Sequence, residues 1–550
     1  MTGNTRAENN VQPGNNGSGI SGYFMETIWR PFVQSSARTS AVFIVFIVLL
    51  VGALVSTRFL DTTGCWPDGD YWWFTNFLFQ WGAAALQTFM GSLASKPMLS
   101  SGTRAAGIPK KPRQKIEIPL NCSALDLTRT CPTNYPTTTE EDPASTSETT
   151  CPDYFRWIHE DLRPWAQTGI TWEMVSRARR TANFRLVVVN GKAYVEKYRR
   201  AFQTRDVFTL WGILQLLRKY PGKVPDFDLM FDCVDWPVVK SSDFCGPNAT
   251  TPPPVFRYCK DAETLDIIFP DWSFWGWPEI NIKPWVSLLN DLIEGNKKIR
   301  WEEREPYAYW KGNPNVALTR QDLLTCNVSE KQDWGARVFA QDWGKEAQQG
   351  YKQSDLANQC IHRFKIYIEG SAWSVSEKYI LACDSVTLLV KPRYFDFFTR
   401  NLEPMHHYWP IKDDDKCRSI KHAVDWGNSH QQEAQAMGKA ASEFIREELK
   451  MDYVYDYMFH LLNEYSKLLR YKPTVPRKAV ELCSETMACP ARGLEKQFMM
   501  ESMVKGPSLT GPCTMPPPYD PGSLYASISK KENSVNQVDE MEKNFWKTQN

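Results

Sequence analysis

The sequence predicts an α/β fold with parallel sheets, because short strand-like runs alternate with longer runs whose apolar spacing is helical. The strand-like runs are "FRLVVV" (184–189), "FDLMFDCV" (227–234), "FKIYIE" (364–369) and "SVTLLV" (385–390). The helical runs between them include "VFTLWGILQLLRKY", "WVSLLNDLIEG" and "SEKYILAC". Alternation of this kind is typical of parallel α/β architecture. About 300 residues of it predict two such domains.

A membrane helix is predicted near the N-terminus. The segment 39–57, "TSAVFIVFIVLLVGALVST", contains no charge and lies between Arg38 and Arg58. At about 1.5 Å per residue it spans roughly 28 Å, close to the thickness of the hydrocarbon core of a bilayer. A cleaved signal peptide is the alternative, but a long polar segment precedes the apolar run and no small-residue cleavage site is evident. The pattern favours a single-pass signal anchor.

The cysteines predict that the chain after the anchor lies in an oxidising lumen. All 14 cysteines follow the anchor, and disulfides persist in such compartments. The glycosylation sequons at Asn121, Asn248 and Asn327 lie on the same side. We therefore expect a type II Golgi membrane protein with a lumenal body; the endoplasmic reticulum is the alternative compartment.

Composition divides the chain into six predicted segments. They are a disordered cytosolic tail (1–38), the anchor (39–57), a stem (58–150), a first α/β half (151–295), a second α/β half with closing helices (296–470) and a C-terminal extension (471–550), largely disordered after about 505. Within the stem, the uncharged stretch 71–95 favours an interfacial or stem helix, with a second membrane span as the alternative. The net charge of +1 gives no global field that would attract nucleic acid.

One strand-like run carries three carboxylates. In "DLMFDCVDWP" these are Asp228, Asp232 and Asp235, and the last one precedes a Trp-Pro break. A carboxylate at the end of an apolar strand either caps a turn or acts as a general base. The residues alone leave both roles open.

A second candidate site is the loop in "IEGSAWSVSEKYILACDS" (368–385). Small residues turn the chain at 370–372, and Ser374 with Glu377 fits a capping box at the start of a helix. A small-residue loop that leads into a helix suits a diphosphate. The alternative is an ordinary capped crossover.

Three further segments admit a functional and a structural interpretation. In "YAYWKGNPN", Lys311 either balances phosphate charge or is solvated. The Trp-rich segment "FPDWSFWGWPEINIKPW" (269–285) is either an aromatic loop on a binding cleft or packing between domains. The acidic run "KDDDK" (412–416) either holds a metal ion or forms a solvated loop, and the solvated loop is favoured.

Several sequence blocks, in a fixed order, resemble one enzyme family. They are "DCVDWP", "FPDWSFWGWPE", "YAYWKG", "SAWSVSEKYILACDS", "YFDFFTRNLEPMHHYWPI" and "MDYVYDYMFHLLNEYSKLL", and they cover roughly residues 150 to 470. The series resembles the Rumi-type protein O-glucosyltransferases of glycosyltransferase family 90, and their plant branch in particular. The resemblance implies a GT-B fold, in which two Rossmann-like domains flank a cleft. It also implies a UDP-sugar donor, inversion at the anomeric carbon, and no metal ion or other cofactor.

The resemblance assigns expected roles to individual residues. Asp235 takes the place of the general base, while Asp228 and Asp232 are interpreted as structural. Cys360 and Cys383 are spaced like a disulfide pair of the family. Donor binding is expected from Lys283, Lys311, Gly312, Ser371, Ala372, Ser374, Ser376 and Lys378, and the acceptor side of the cleft from Trp272, Phe274 and Trp275.

The chain departs from the animal members at two positions that bear on phosphate binding. Lys311 and Ser376 stand where those members carry arginine, and lysine does not reproduce the bidentate grip of a guanidinium. The donor sugar therefore stays open between glucose and xylose, and the acceptor between protein and polysaccharide. A non-catalytic lumenal carbohydrate-binding or scaffold protein that keeps the cleft is the alternative function.

Overall fold

The computed structural model describes residues 117–123, 131, 149–246 and 249–549. The predicted anchor 39–57, the stretch 71–95 and most of the stem lie outside these residues. Among the described residues, no helix combines the length and the apolar character needed to cross a bilayer.

Strands and helices alternate through most of the described chain. The strands are β1 Phe184–Val189, β2 Lys192–Lys197, β3 Phe227–Phe231, β4 Val255–Arg257, β5 Ile267–Ile268, β6 Glu305–Gly312, β7 Ala336–Ala340, β8 His362–Tyr367, β9 Val386–Val390, β10 Trp409–Ile411 and β11 Val480–Leu482. The α-helices are α1 Trp157–Leu162, α2 Trp172–Ala178, α3 Arg205–Lys219, α4 Trp285–Lys297, α5 Leu318–Leu323, α6 Trp343–Gln348, α7 Glu377–Leu381, α8 Lys416–Ser429, α9 Gln431–Glu448, α10 Met451–Leu468, α11 Ser484–Ala488, α12 Gly493–Glu501 and α13 Pro521–Gln549. The prediction of an α/β fold is confirmed.

The first sheet is mixed rather than wholly parallel. Its strand order is β11-β2-β1-β3-β4-β5; β3, β4 and β5 are parallel, whereas β1 is antiparallel to both β2 and β3. A two-residue hairpin explains the reversal, because Asn190 and Gly191 both have positive φ, at 51° and 73°. This is the pattern of a type I′ turn, which joins neighbouring antiparallel strands. The prediction of parallel strands therefore holds here for β3 to β5 only.

The second sheet is parallel throughout. Its order is β10-β9-β8-β6-β7, and each neighbouring pair is parallel. Helices α8 and α9 contact it, and the apolar core between them includes Phe364, Leu388 and Ile420, all without exposed surface. Burial of this kind suits the near-continuous apolar character of β8 and β9. Because these strands are parallel, their carboxyl ends meet at one edge of the sheet.

The two sheets are joined by a segment that leaves the second sheet and returns to the first. Phe395 exchanges backbone hydrogen bonds with Lys260, at 3.1 and 2.9 Å. Arg400 donates to both carboxylate oxygens of buried Asp161, at 2.9 and 2.6 Å. Paired and buried charges of this kind fix the position of the segment 393–400 against the first sheet.

Disulfides tie the N-terminal part of the described chain to its C-terminal part. Three bonds join Cys122 to Cys489, Cys131 to Cys483 and Cys151 to Cys513, over separations of 367, 352 and 362 residues. Because they close very long loops, they restrict the unfolded chain strongly. Strand β11, close to these cysteines, completes one edge of the first sheet.

The prediction of disorder after residue 505 is wrong for the last part of the chain. Helix α13 covers 29 residues and contacts α8. Lys412 lies 3.5 Å from Asp539 and 3.2 Å from Glu542, and the guanidinium of Arg418 lies 4.5 Å from the ring centre of Trp546. The Pro- and Gly-rich composition that suggested disorder ends where the helix begins.

Candidate active site

The three carboxylates of the β3 region differ in their access to solvent. The side chains of Asp228 and Asp232 are 0% and 3% exposed, whereas that of Asp235 is 22% exposed. Strand β3 ends at Phe231, so Asp235 lies in the loop at the carboxyl end of the parallel strands. Of the three, Asp235 is the one that a substrate can reach.

The two buried carboxylates are held by arginines. Arg185 donates to both oxygens of Asp228, at 2.8 and 2.6 Å. Arg257 donates to Asp232, which also accepts from the backbone N–H of Val234 at 3.0 Å. These contacts give both residues structural roles, the second as a cap of the turn that carries Asp235.

Asp235 forms an ion pair with Arg205, the first residue of α3. The guanidinium donates from Nη1 to Oδ1 at 2.6 Å and from Nη2 to Oδ2 at 3.3 Å. It also lies over the ring of Trp272, 4.4 Å from the ring centre. Burial raises the pKa of Asp235 above its ordinary value, and the nearby charge of Arg205 opposes the rise. Asp235 is therefore a fixed, partly desolvated carboxylate.

Side chains from the second half surround this ion pair. The exposed ring of Trp236 meets Tyr394 edge-on at 5.7 Å, and the backbone N–H of Tyr394 donates to Glu369 at 2.7 Å. The ring of Trp373, from the loop after β8, lies 6.4 Å from that of Trp272. Through Trp272, which contacts both Arg205 and Trp373, the loop 370–374 lies near Asp235.

The loop 370–374 is organised by a residue that sequence reasoning missed, Arg320 in α5. Its guanidinium donates to the carbonyls of Glu369 at 2.9 Å and Ile368 at 3.1 Å, and to Oγ of Ser374 at 3.1 Å. No carboxylate among the described residues forms a salt bridge with it, and burial lowers the pKa of Arg320 to about 10. The sequence offered one signal for this role, because Arg320 lies three positions before Leu323 and so on the same buried face of the helix.

The loop itself has an unusual backbone. Ala372 has a φ of 60° and is 1% exposed, a left-handed conformation that costs energy for a residue with a Cβ atom. Ser371 precedes it and is partly exposed. Ser374 also donates its backbone N–H to the hydroxyl of Tyr367 at 3.3 Å.

The predicted capping box is absent, and the helix that follows the loop is short. Helix α7 has five residues, and its N-cap is Ser376, whose side chain makes no capping hydrogen bond. The Oγ atom of Ser374 instead accepts from the N–H of Ser376 at 3.4 Å. Glu377 is buried, and burial raises its pKa. A five-residue helix provides only a small dipole for a diphosphate.

Lys311, Gly312 and Lys283, which were also predicted to bind the donor, lie outside the loop 370–374. Lys311, at the end of β6, contacts the carbonyl of Gln353 at 2.7 Å and Glu346 at 3.4 Å. Gly312 follows it, and a Cβ atom there would lie 2.6 Å from the ring of Trp310. Lys283 pairs with Asp291 at 2.7 Å on the wall of a separate open groove of about 450 Å³, lined by residues between 280 and 298 and between 351 and 357.

Lys378, a further predicted donor residue, is buried between the two halves of the protein. Its side chain is 2% exposed and pairs with the equally buried Asp271 at 2.8 Å. The ammonium also lies 4.7 Å from the ring centre of Phe274. Lys378 joins the two halves of the protein, because Asp271 belongs to the first half.

The aromatic segment is packing between elements rather than an open binding surface. Trp272, Phe274 and Trp275, the residues predicted for the acceptor side, are at most 1% exposed. The indole N–H of Trp275 donates to the hydroxyl of Tyr455 at 2.9 Å. Composition showed the aromatic content of the segment but not the direction of its rings.

The structure contains the Cys360–Cys383 disulfide that the family resemblance implied. Asn121 is exposed, and Asn327 is partly exposed while its Oδ1 accepts from the N–H of Val338 at 3.0 Å. Asn248, the remaining sequon, lies outside the described residues.

The acidic run 413–415 is engaged by neighbouring side chains. Asp413 accepts from Thr319 at 2.5 Å and pairs with Lys416 at 3.1 Å. Among the described residues, one group could in principle ligate a metal ion, namely Cys151, His460 and Cys513. Its two cysteines are joined in a disulfide, so this group offers no thiolate.

Comparisons with known proteins agree on one family. The model of "Glycosyl transferase family 90" matches residues 146–542. Protein O-glucosyltransferase 1 of Homo sapiens is 27% identical over 351 residues, covering 60% of this chain and 84% of that protein. The O-glucosyltransferase rumi homolog of Anopheles gambiae is 27% identical over 340 residues (59% and 81%). O-glucosyltransferase rumi of Drosophila melanogaster is 24% identical over 337 residues (58% and 78%). The family match includes both sheets and most of α13.

Proposed function

The chain belongs to glycosyl transferase family 90, and from this premise we propose that it transfers a sugar from a UDP-sugar to a hydroxyl group of a protein or glycan acceptor. The sugar is glucose or xylose, and transfer inverts the anomeric carbon. The two sheets, with their helices, act as the two Rossmann-like domains of a GT-B enzyme. The donor binds without a metal ion.

The position of Asp235 carries the proposal. It is the accessible carboxylate of the three around β3, and it lies near the loop 370–374. Its partners hold the carboxylate in place: Arg205 contacts both oxygens, and the thiol of Cys259 donates to its backbone carbonyl at 3.2 Å. A general base needs this combination of access and fixed orientation.

In the proposed reaction, Asp235 removes the proton of the acceptor hydroxyl as the oxygen attacks the anomeric carbon. The new carbon–oxygen bond forms on one face of the sugar while the bond to UDP breaks on the other. UDP departs with the bonding electrons, and Asp235 keeps the proton until solvent removes it. Backside attack of this kind inverts the configuration.

The donor is placed at the carboxyl ends of the second sheet, where open parallel α/β sheets bind their ligands. Ser371, Ala372 and Ser374 provide backbone and hydroxyl groups there, and Arg320 acts as a positioning residue that fixes the loop. Lys311 and Gly312 end the neighbouring strand β6. Lys311 can bind a phosphate of the donor only if its contact with Glu346 breaks.

The proposed location is the Golgi membrane, with type II topology and a lumenal body. Five disulfides join described cysteines, which supports maturation in an oxidising compartment. Protease added to sealed microsomes should spare the body and digest it only after detergent is added. Digestion without detergent would show that the body faces the cytosol and would contradict the proposed topology.

Donor hydrolysis tests the proposed activity most directly. Full-length protein in detergent is incubated with UDP-glucose, UDP-xylose and other UDP-sugars, and released UDP is measured. We expect one donor to be hydrolysed slowly in the absence of acceptor. Binding of UDP with no hydrolysis or transfer for any donor would favour the non-catalytic carbohydrate-binding alternative.

A further inference from the structure

Five exposed arginines lie near the carboxyl end of β3, the end that carries Asp235. We call this group the arginine rim; its members are Arg177, Arg179, Arg180, Arg199 and Arg200. They come from the end of α2, from the turn before β1 and from the turn after β2. None of them has a role in the proposed chemistry described above.

The topology of the first sheet brings these segments to the catalytic edge. Phe184, at the start of β1, is paired with Lys197 at the end of β2 and with Phe231 at the end of β3. Because β1 is antiparallel to both neighbours, its beginning lies beside their ends. The turns that carry the rim therefore lie at the same edge as the loop of Asp235.

One buried side chain connects the rim with that loop. Oδ1 of Asn183 accepts from the N–H of Cys233 at 2.7 Å, and its carbonyl accepts from the N–H of Arg199 at 3.1 Å. Cys233 is two residues from Asp235. The backbone of the rim is thus two hydrogen bonds away from the loop that carries the proposed base.

The charges of the rim are not neutralised within the described part of the protein. None of the five arginines forms a salt bridge there; Arg177 donates to the carbonyl of Thr251 at 2.6 Å and Arg199 to that of Thr181 at 3.2 Å. The neighbouring Glu196 accepts from the hydroxyl of Tyr198 at 3.1 Å. Arg179 lies over the ring of Tyr198, 4.5 Å from its centre. The rim is a concentrated positive surface whose charges are not paired with a carboxylate among the described residues.

Two exposed aromatic rings lie close to the Asp235–Arg205 ion pair. Phe202 is 65% exposed and lies 5.2 Å from the guanidinium of Arg205. Trp236 is 50% exposed and directly follows Asp235. Large flat rings can cover the apolar face of a sugar, while guanidinium groups pair with carboxylates in a planar geometry.

We propose that the acceptor is an acidic polysaccharide whose carboxylates bind the arginine rim while its sugar rings pack on Phe202 and Trp236. The proposal rests on the proposed transferase function and specifies its acceptor. The combination of cations with exposed aromatic rings favours a chain of uronic acid residues over an acidic peptide. The rim then holds the chain so that one of its hydroxyl groups reaches Asp235.

The test measures binding of fluorescent oligosaccharides to the full-length protein without donor, so that it does not depend on turnover. The probes are a uronic acid oligosaccharide, a neutral oligosaccharide of equal length and a glutamate-rich peptide of equal charge. The rim variant is Arg180→Gln with Arg200→Gln, which keeps the carbonyl contacts of Arg199 and the contact of Arg179 with the ring of Tyr198. The matched control is Arg300→Gln, an exposed arginine of the second half that pairs with Glu303.

We expect the acidic oligosaccharide to bind more tightly than both other probes, and salt to weaken this binding. The rim variant should bind it about tenfold more weakly, and the control should bind it normally. Equal affinity for the acidic and neutral oligosaccharides, or an unchanged preference in the rim variant, would overturn the proposal. Tighter binding of the peptide would overturn the assignment to polysaccharide.

Donor hydrolysis separates this proposal from the proposed function. Hydrolysis of a UDP-sugar without binding of the acidic oligosaccharide would reject the rim and keep the transferase. Binding of the oligosaccharide by a protein that hydrolyses no donor would reject the transferase and keep the rim as a glycan-binding surface.

Discussion

Arg205 contacts both carboxylate oxygens of Asp235, at 2.6 and 3.3 Å, and so restrains the proposed base from the side of α3. Two effects of opposite sign act on the pKa of Asp235. The positive charge favours the ionised form of Asp235, whereas the burial that surrounds the pair disfavours it. Burial is the larger effect, so the pKa of Asp235 lies above that of an ordinary aspartate.

The pH profile of transfer should reflect this raised pKa. Transfer needs ionised Asp235, so kcat/KM should fall as the pH falls through the pKa of this carboxyl group, at a higher pH than for an ordinary aspartate. Arg205→Gln removes the charge that opposes the rise and should move the acid limb to still higher pH. The profile is measured on both proteins with Arg300→Gln as control. An acid limb that does not move would show that another group controls it.

The pair formed by Lys378 and Asp271 is expected to stabilise the fold rather than bind the donor. Lys378→Met leaves a buried carboxylate without its partner and should cost about 3–5 kcal/mol of unfolding free energy. The second substitution Asp271→Asn should recover part of the loss, because it removes the unpaired charge. Unfolding in denaturant and the KM for donor are measured on each variant. Normal stability with a greatly raised KM would return Lys378 to the donor site.

The Cys360–Cys383 disulfide encloses β8 and the loop 370–374. Its loop of 23 residues predicts a stabilisation of roughly 3 kcal/mol in the chain-entropy model, and the Cys326–Cys417 loop of 91 residues predicts about 4–5 kcal/mol. Peptide mapping without reduction should recover both linked pairs. Replacing Cys326 and Cys417 by alanine should therefore lower stability more than replacing Cys360 and Cys383. Recovery of Cys360 and Cys383 as free thiols would contradict the pairing.

Transfer should survive chelation, because the proposed donor site uses protein groups. EDTA should leave the transfer rate unchanged. Replacement of Asp413, Asp414 and Asp415 by asparagine should also leave the rate unchanged and should lower stability slightly. The measurement is transfer of sugar before and after addition of EDTA and then Mn²⁺. Loss of activity on chelation with recovery in Mn²⁺ would contradict both the GT-B assignment and the proposed donor site.

The apolar strands could be predicted because burial on both faces leaves a clear pattern. The run 184–189 matches β1 residue by residue. The run 227–234 was predicted too long, since the strand ends where Asp232 turns towards Arg257. The antiparallel hairpin was missed although its signal was present, because Asn-Gly between two apolar runs is a strong hairpin pattern.

The site was predictable only where a residue carries its own signal. Asp235 stands out in the sequence because it is polar and follows an apolar strand. Its partner Arg205 is 30 positions away, and Arg320 is 49 positions from the carbonyl of Glu369; tertiary packing alone brings these groups together. For the same reason, sequence could not show that Lys378 turns towards Asp271.

Asp235→Asn should abolish transfer while the protein stays folded and still binds UDP. Asparagine keeps the size of the side chain and one oxygen for Arg205, but it cannot accept the acceptor's proton. The turnover rate should therefore fall by about 10²–10⁴-fold, with a small loss of stability from the weakened ion pair. Transfer rate, UDP affinity and melting temperature are measured together.

Two control variants separate proton transfer from loss of charge or of structure. Asp425→Asn removes a partly exposed carboxylate that is also paired with a cation, Lys421, and should change neither turnover nor stability by much. Asp232→Asn removes one of the two buried carboxylates that pair with Arg257, and Asp266 remains as the other. It should lower stability by about 1–3 kcal/mol, while the remaining folded protein keeps its specific activity. Near-normal turnover in Asp235→Asn, with UDP affinity unchanged, would show that Asp235 only orients its turn. The non-catalytic carbohydrate-binding function would then be favoured, unless another accessible carboxylate acts as the base.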